Sequence, residues 1–486
     1  MDRKGSLIKN TFILSIGTFL PRFVTVLVTP ILTAQLTKAE YGQYDLVATF
    51  VSLLFPAVTL QISTAAFRFL IITRKKKDDS SEIISTIYAF VLVVSILTSL
   101  VYLLFVRDKV GNNGLLICAY FVADILFVTT AQMMRGLGKN MLFSISSVLR
   151  AVVDVALLAA LTGVFGTVNM GIRGVLIAML TSTVVPLVFL LFVGGIIPYV
   201  EISRVSKKRL KELLSFSWPM VPNNLSGWVL KLSDRLVITA VCGIEANAIY
   251  AAACKVTTVL SYFQNTFMQA WQENSSLALN DDDKDQYYSQ MCDWIYRLLF
   301  GALATLICAT PLLWKLLVHG DYGQAYYQLP ILYMGVLFSC MASILGAIYT
   351  AHMRTKSVGI TTTLAALVNI IIDISLIWSI GIWAGSISTM ISYLFLMLYR
   401  MKDIQKFQPI YFNKRMIGFG FVTVSVMGVL CFRKTLVSDL FNIPICIIAL
   451  VYFDKDIIVS FFKILKRKAA KRKKSSSETS VQGVEK

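Results

Sequence analysis

Several basic side chains lie inside long apolar stretches of the sequence, where a charge needs a specific reason to be present. A Lys, Arg or Asp at the centre of a bilayer costs roughly 2.5 to 3.5 kcal/mol on insertion scales, so such residues usually face a cavity or a partner. Arginine can hold a phosphate with two parallel hydrogen bonds, and lysine acts on it as a point charge. The sequence therefore predicts a positively charged site for an anionic substrate, and its candidate residues are Arg22, Arg68, Arg150, Lys231, Arg235 and Lys255.

The spacing of two of these cations indicates that they act together. Lys231 and Arg235 are four positions apart and so share one helical face, with Asp234 on nearly the same face. Gly227 precedes Lys231 by one turn and predicts open space beside the lysine. We expect Arg22, Lys231, Arg235 and Lys255 to line one cavity.

Two other cations have an explanation that requires no substrate. Arg150 lies four positions before Asp154, so the two side chains can pair within one helix. Arg68 lies near the end of an apolar stretch, from which a long side chain can reach the membrane surface. Both alternatives stay open from the sequence alone.

Four acidic residues also lie inside apolar stretches. Acids in such positions serve as counter-ions, or as sites that couple transport to a proton or sodium gradient. We expect no metal centre and no organic cofactor, because the eight Cys form no C-x-x-C pair and the two His lie far apart in the sequence. The candidates for counter-ion or coupling roles are Asp124, Asp154, Asp234 and Asp373.

The composition identifies the elements that must position these residues. Hydrophobic residues make up 56% of the 486 residues and charged residues 15%, which is more apolar than the roughly 45–50% of soluble domains. At about 20 residues per span, we predict an all-α integral membrane protein with about fourteen transmembrane helices. The predicted spans are 11–36, 43–72, 83–106, 115–134, 141–165, 174–198, 215–243, 247–272, 291–314, 328–351, 357–381, 384–400, 415–432 and 436–453.

The distribution of Lys and Arg predicts the orientation. Most of them fall in alternate loops that include the N-terminus and the basic tail at 463–486, which the positive-inside rule places in the cytoplasm. We therefore expect a multi-pass protein of the bacterial cytoplasmic (inner) membrane with both termini inside. The formal net charge of +19 is then a topology signal, and we expect no nucleic-acid partner.

The two halves of the chain repeat an ordered set of features. Arg150 to Asp154 in the fifth span matches Asn369 to Asp373 in the eleventh, and small residues follow each segment. Because each repeat holds about six helices, both halves enter the membrane from the same side, as in parallel repeats that support alternating access. We predict an N-terminal lobe at 1–205, a C-terminal lobe at 206–406, two further helices at 407–462 and the tail at 463–486.

Three short motifs resemble a known family when they are taken in order. They are Lys9-Asn10-Thr11 before the first span, Ala39 to Tyr44 after it, and Gly136 to Lys139 after the fourth. With the helix count, they resemble the polysaccharide transporters of the Wzx type, the lipid-linked oligosaccharide flippases of the multidrug and polysaccharide exporter superfamily. The resemblance implies a V-shaped pair of six-helix bundles, with the first, second, seventh and eighth helices around a central cavity. It also implies a substrate on an undecaprenyl diphosphate carrier.

These observations predict a non-enzymatic flippase for capsule, O-antigen or exopolysaccharide repeat units. Its expected partners are the polyprenyl-diphosphate oligosaccharide, membrane lipids and other polysaccharide-assembly proteins. One alternative is a drug or organic-cation exporter of the same superfamily, which should prefer an acidic or aromatic pocket. Another is a membrane-embedded polymerase or acyltransferase, which should carry a large external loop or a His, Glu or Ser constellation.

Overall fold

A computed structural model describes residues 26–73, 76–105, 113–164 and 169–455, together with residues 21, 24 and 166. Within these ranges the chain is helical and forms no strand, apart from an isolated bridge between Thr162 and Asn169. In chain order the helices are α1 (Val28–Gln35), α2 (Lys38–Thr59), α3 (Ile62–Thr73), α4 (Lys77–Phe105), α5 (Gly114–Gly136), α6 (Asn140–Leu161), α7 (Gly171–Phe192), α8 (Lys207–Ser217), α9 (Val221–Cys242), α10 (Ile244–Leu277), α11 (Lys284–Leu317), α12 (Gly323–Ala351), α13 (Thr355–Ile380), α14 (Trp383–Asp403), α15 (Lys414–Phe432) and α16 (Leu436–Lys455).

The length and composition of these helices confirm an all-helical, multi-pass membrane protein. In the described part of the chain, nine helices are long and apolar enough to cross a bilayer, or ten if the bent pair α2 and α3 forms one span. Helices α9, α10 and α14 are equally long but more polar. The total of fourteen spans and the predicted lobe boundaries stay predictions, and most of the first predicted span lies outside the described residues.

The two halves of the chain pack as separate groups of helices that meet along α2. In the first half, α7 packs on α5 and α6; in the second, α12 packs between α10 and α14, and α13 packs on α9 and α14. Helix α2 contacts both α9 and α10 of the second half. The polar sequences of α9 and α10 are thus explained by this contact, because their polar faces meet the other half instead of lipid.

A bend separates α2 from α3 within the second predicted span. The two helices meet at 55°, and the bend falls at Leu60 and Gln61, whose φ angles are 47° and 57°. Residues other than glycine rarely adopt this left-handed backbone conformation, so the surrounding packing must stabilise it. Pro56 lies four residues before the bend and weakens the helix there.

Candidate functional site

A central cavity of about 640 Å³ lies between α2 and the helices of the second half. It is lined by the C-terminal part of α2, by α9 and α10, and by α12, α13 and α14. Amides and hydroxyls dominate its polar surface, and no Asp or Glu is among its described lining residues. The polar residues that the cavity exposes include Ser52, Asn223, Asn224, Gln264, Gln272 and Tyr393.

Two basic side chains lie in the described lining of this cavity. Lys231 of α9 is exposed, and the space predicted beside it is present, since a Cβ at Gly227 would meet nothing within 4 Å. Arg400 of α14 is 5% exposed. Neither residue has a carboxylate partner among the described side chains. The cavity therefore has a positive charge that the protein does not neutralise there.

Neutral acceptors hold the Arg400 guanidinium in place. It donates to the carbonyl oxygen of Ala342 at 2.9 Å and to the hydroxyls of Thr362 at 3.1 Å and Thr361 at 3.2 Å. A Cβ at Gly346 would lie 2.8 Å from its Nη1 atom, so the glycine provides the space that the guanidinium occupies. No described carboxylate pairs with Arg400, and its hydrogen bonds to neutral acceptors fix its position.

Arg235 forms an ion pair that joins the two halves. Its Nη1 atom lies 2.5 Å from Oδ1 of Asp45 on α2, and Asp45 is 1% exposed. Asn247 donates to the other carboxylate oxygen of Asp45 at 3.4 Å. Lys255 is half-buried within electrostatic range of Asp45 and Arg235, and it forms no ion pair with a described residue. Arg235 is therefore the ion-pair partner of Asp45, and neither Arg235 nor Lys255 is a described lining residue of the cavity.

Further contacts join the two halves near the start of α2. Lys38 pairs with Asp321 at 2.7 Å, and the backbone N–H of His319 donates to the Thr33 hydroxyl at 3.0 Å. A Cβ at Gly42 would lie 2.3 Å from the carbonyl oxygen of Ile244 on α10, which shows how closely the two backbones approach. The halves are thus joined at the start of α2, whereas the cavity lies along the end of α2.

The remaining predicted cations do not line the cavity or lie outside the described residues. Arg22 lies outside the described residues. Arg68 is exposed on α3 and is not among the described lining residues. Of the two alternatives for Arg150, the ion pair with Asp154 is not formed: the Arg150 guanidinium lies 2.6 Å from Asp124 of the neighbouring α5. Contact with an adjacent helix therefore prevails over the local i, i+4 spacing.

The acidic candidates fall into two groups, one in each half. In the first half, Asp124 pairs with Arg150, and Asp154 accepts a hydrogen bond from Ser182 at 3.2 Å. That group consequently contains a cation of its own.

The acidic group of the second half, Asp234 and Asp373, forms no ion pair with a described residue. Asp234 accepts hydrogen bonds from Tyr250 and Thr389, each at 2.6 Å. Asp373 is fully buried, and neither of its carboxylate oxygens has a hydrogen-bond partner in the described part of the chain. Asp234 lies within electrostatic range of Asp373. Arg235 also lies within electrostatic range of Asp234, but its ion pair is with Asp45. Two acids thus share a buried region, and neither forms an ion pair with a described residue.

Two residues of the site were missed in the sequence. Asp45 lies at the start of the second predicted span, and an acid inside a span was the signal that could have identified it. Arg400 is the last residue of the predicted span 384–400 and is not among the predicted site residues. Helix α14 continues to Asp403, so Arg400 lies within the helix and can reach the cavity.

Comparisons with known proteins agree with this architecture. The chain superposes on a structure described as "Lipid II flippase MurJ, inward closed conformation" with a TM-score of 0.67 at 16% identity, covering 92% of this chain and 100% of that one. An inward-facing multidrug resistance MATE family transporter of the MOP superfamily gives 0.67 at 15% identity, with 82% and 98% covered. The outward-facing structure of such a transporter gives 0.55 at 15% identity, with 84% and 97% covered. No curated protein matches the sequence.

The family itself is identified from the sequence. The profile described as "Polysaccharide biosynthesis protein" matches residues 7–271, which is more than half of the chain. The structural neighbours include a lipid II flippase and multidrug resistance MATE family transporters of the MOP superfamily. This chain belongs to the polysaccharide biosynthesis protein family and has the fold of the MOP-superfamily transporters.

Proposed function

We propose that this protein is a flippase that moves an oligosaccharide, linked to a polyprenyl diphosphate, across the bacterial cytoplasmic membrane. The observation that carries the proposal is the charge of the central cavity, where Lys231 and Arg400 meet no described acidic lining residue. A diphosphate supplies the negative charge that this cavity lacks, and a buried or half-buried setting strengthens the attraction relative to bulk water.

The neutral surface of the cavity supports a sugar as the rest of the head group. Asn and Gln side chains carry both donors and acceptors, which match the hydroxyls of a sugar ring. Asn223 and Asn224 lie on α9 and Gln264 and Gln272 on α10, so amides approach the cavity from two sides. The cavity volume of about 640 Å³ falls in the usual range for ligand sites, about 300–1,000 Å³.

The two ends of α2 support a mechanism of alternating access. The charge distribution predicts that the start of α2 faces outward and that the cavity opens to the cytoplasm. The head group enters this cavity while the polyprenyl tail stays in lipid. Rocking of the halves then breaks the Lys38–Asp321 and Arg235–Asp45 contacts and opens the cavity to the outside.

An organic-cation exporter is the rival function, because MATE transporters share this fold. Deletion of the gene in its host distinguishes the two. The flippase predicts that lipid-linked repeat units accumulate on the cytoplasmic leaflet and that surface glycan is lost. Normal surface glycan together with altered drug susceptibility would instead support the exporter. A plasmid-borne wild-type copy is the control, and it should restore surface glycan.

We further propose that Asp234 and Asp373 bind the coupling ion, a proton or sodium. In the first half Arg150 forms an ion pair with Asp124, and the position that matches Arg150 in the second half is the neutral Asn369. The carboxylate of Asp373 is buried without a described hydrogen-bond partner. A proton or sodium ion from solution would neutralise it, since an unpaired buried carboxylate is unfavourable.

Substitution of Asp373 by Asn should remove the dependence of transport on an imposed ion gradient. We expect the rate in proteoliposomes to fall about tenfold, in line with typical coupling energies between sites. The measurement is transport of a fluorescent lipid-linked oligosaccharide with and without proton or sodium gradients. Asp454→Asn, which removes a buried carboxyl group on α16, should keep the response. An unchanged gradient response in Asp373→Asn would refute this assignment.

A further inference from the structure

The segment that joins the two halves lies against the start of α4. We call residues 197–218 the linker; it contains two short 3₁₀ turns and the helix α8. The hydroxyl of Ser85 donates to the Tyr199 carbonyl at 3.1 Å and accepts from the Glu201 N–H at 2.8 Å. The Ser206 N–H donates to the Thr86 hydroxyl at 3.1 Å. These hydrogen bonds fix the linker to the first half of the protein.

Two arginines of the linker use their charge within the protein. Arg204 pairs with Asp78 at 2.7 Å and with Glu201 at 2.6 Å. Arg209 pairs with Glu82 at 3.2 Å and, within α8, with Glu212 at 2.8 Å. Their positive charges are therefore neutralised where they lie.

Three lysines of α8 differ from these arginines. Lys207, Lys208 and Lys211 are exposed, and none of them forms an ion pair with a described residue. Their spacing places them on one side of the helix. The other side holds Leu213, which is fully buried, and Leu210, which packs against the core. The apolar side of α8 thus packs against the protein, whereas its lysine side forms no ion pair with a described residue.

Large apolar side chains close to these lysines in the sequence are also exposed. Ile202 is 90% exposed and Trp218 is 57% exposed. Apolar residues beside lysines are typical of segments that lie in the membrane interface, and Trp is enriched at that depth. The linker also lies at the end of the helices that the charge distribution predicts to be cytoplasmic, where the leaflet contains anionic lipids.

We propose that Lys207, Lys208 and Lys211 bind the phosphate headgroups of anionic phospholipids in the cytoplasmic leaflet, while Ile202 and Trp218 insert beside them. Charge complementarity selects this occupant, because three lysines without acidic partners need a polyanionic surface and the adjacent apolar residues need hydrocarbon. The bound lipids anchor the joint between the two halves to the membrane surface. This role does not depend on the substrate that the protein carries.

Native mass spectrometry of the full-length protein in detergent tests the proposal. Phosphatidylglycerol and phosphatidylcholine are titrated separately, and bound lipids are counted. The wild type should bind phosphatidylglycerol more tightly than phosphatidylcholine. K207Q/K208Q/K211Q should bind phosphatidylglycerol about a hundredfold more weakly, since each lysine near an anionic surface contributes about fivefold, and it should keep its phosphatidylcholine affinity.

A second triple variant controls for net charge. K356Q/K402Q/K414Q also removes three exposed lysines, and it should bind phosphatidylglycerol as the wild type does. Thermal unfolding of all three proteins checks that the variants are folded. Equal phosphatidylglycerol binding by wild type and K207Q/K208Q/K211Q would overturn the proposal. Loss of an acidic protein partner from K207Q/K208Q/K211Q, with lipid binding intact, would also overturn it in favour of a protein-docking role.

Discussion

Replacement of Lys231 by Glu should abolish export of the lipid-linked oligosaccharide while the protein still reaches the membrane in normal amounts. The change turns the exposed cation of the cavity into an anion, so that the substrate diphosphate meets repulsion where it met attraction. Loss of one partner of a charged pair costs about 2–5 kcal/mol, which corresponds to a fall of more than about thirtyfold. Surface glycan in a deletion strain that carries the variant measures the effect.

The controls for this prediction separate charge from fold. Lys231→Arg keeps the charge and should retain most of the export. Lys402→Glu makes the same change at an exposed lysine that is not among the described lining residues, and it should leave export near the wild-type level. Export at the wild-type level by Lys231→Glu would remove the main support for an anionic substrate.

Arg400 gives a less direct test of the same cavity. Its guanidinium donates to several protein acceptors as well as facing the cavity. Removal of the side chain would leave those buried acceptors without a donor, at a cost of about 1–3 kcal/mol for each unsatisfied group. A loss of export in Arg400→Ala would thus mix lost binding with lost stability, so Lys231 is the better position.

Replacement of Arg235 by Ala should open the protein on its predicted outer side. Asp45 would remain buried without its partner, and removal of one partner from a buried ion pair costs about 3–5 kcal/mol. That cost applies in the closed arrangement, whereas separation of the halves lets water reach Asp45. A shift of this size changes the ratio of closed to open protein by more than about a hundredfold.

Labelling of the cavity from outside measures this shift. A cysteine introduced at Ser339, which lines the cavity, is treated in intact cells with a membrane-impermeant maleimide, in a background where the exposed Cys242 is Ser. Arg235→Ala should increase the labelling rate, and Arg235→Ala with Asp45→Ala should return it toward the starting rate. Equal labelling of the Ser339→Cys protein with and without Arg235→Ala would show that the pair does not hold this side closed.

The sequence was sufficient for features that depend on a single helix. The apolar composition predicted the all-helical membrane fold, because the bilayer excludes other ways to satisfy the backbone. The one-turn spacing of Gly227 and Lys231 predicted the open space beside the lysine, because helical periodicity alone fixes that relation. The proposed binding roles of the cations stay predictions.

Contacts between distant parts of the chain could not be predicted from local sequence patterns. Asp45 and Arg235 are 190 positions apart, so no local pattern links them. Arg150 pairs with Asp124, 26 positions away, instead of with Asp154 in its own helix. The packing of α5 against α6 determines which carboxylate the guanidinium can reach. Arg400 was missed because it is the last residue of the predicted span 384–400, where a basic residue is expected at the membrane surface, whereas α14 continues to Asp403 and the side chain lines the cavity.

The most direct test of an anion-binding cavity is calorimetric titration of the purified protein with a short prenyl diphosphate, with the corresponding prenyl alcohol as the control. An anion-binding cavity requires that the diphosphate binds and that its affinity weakens as salt screens the charges. It also requires that Lys231→Glu abolishes the binding signal. Equal binding of diphosphate and alcohol, or undiminished diphosphate binding by Lys231→Glu, would contradict it.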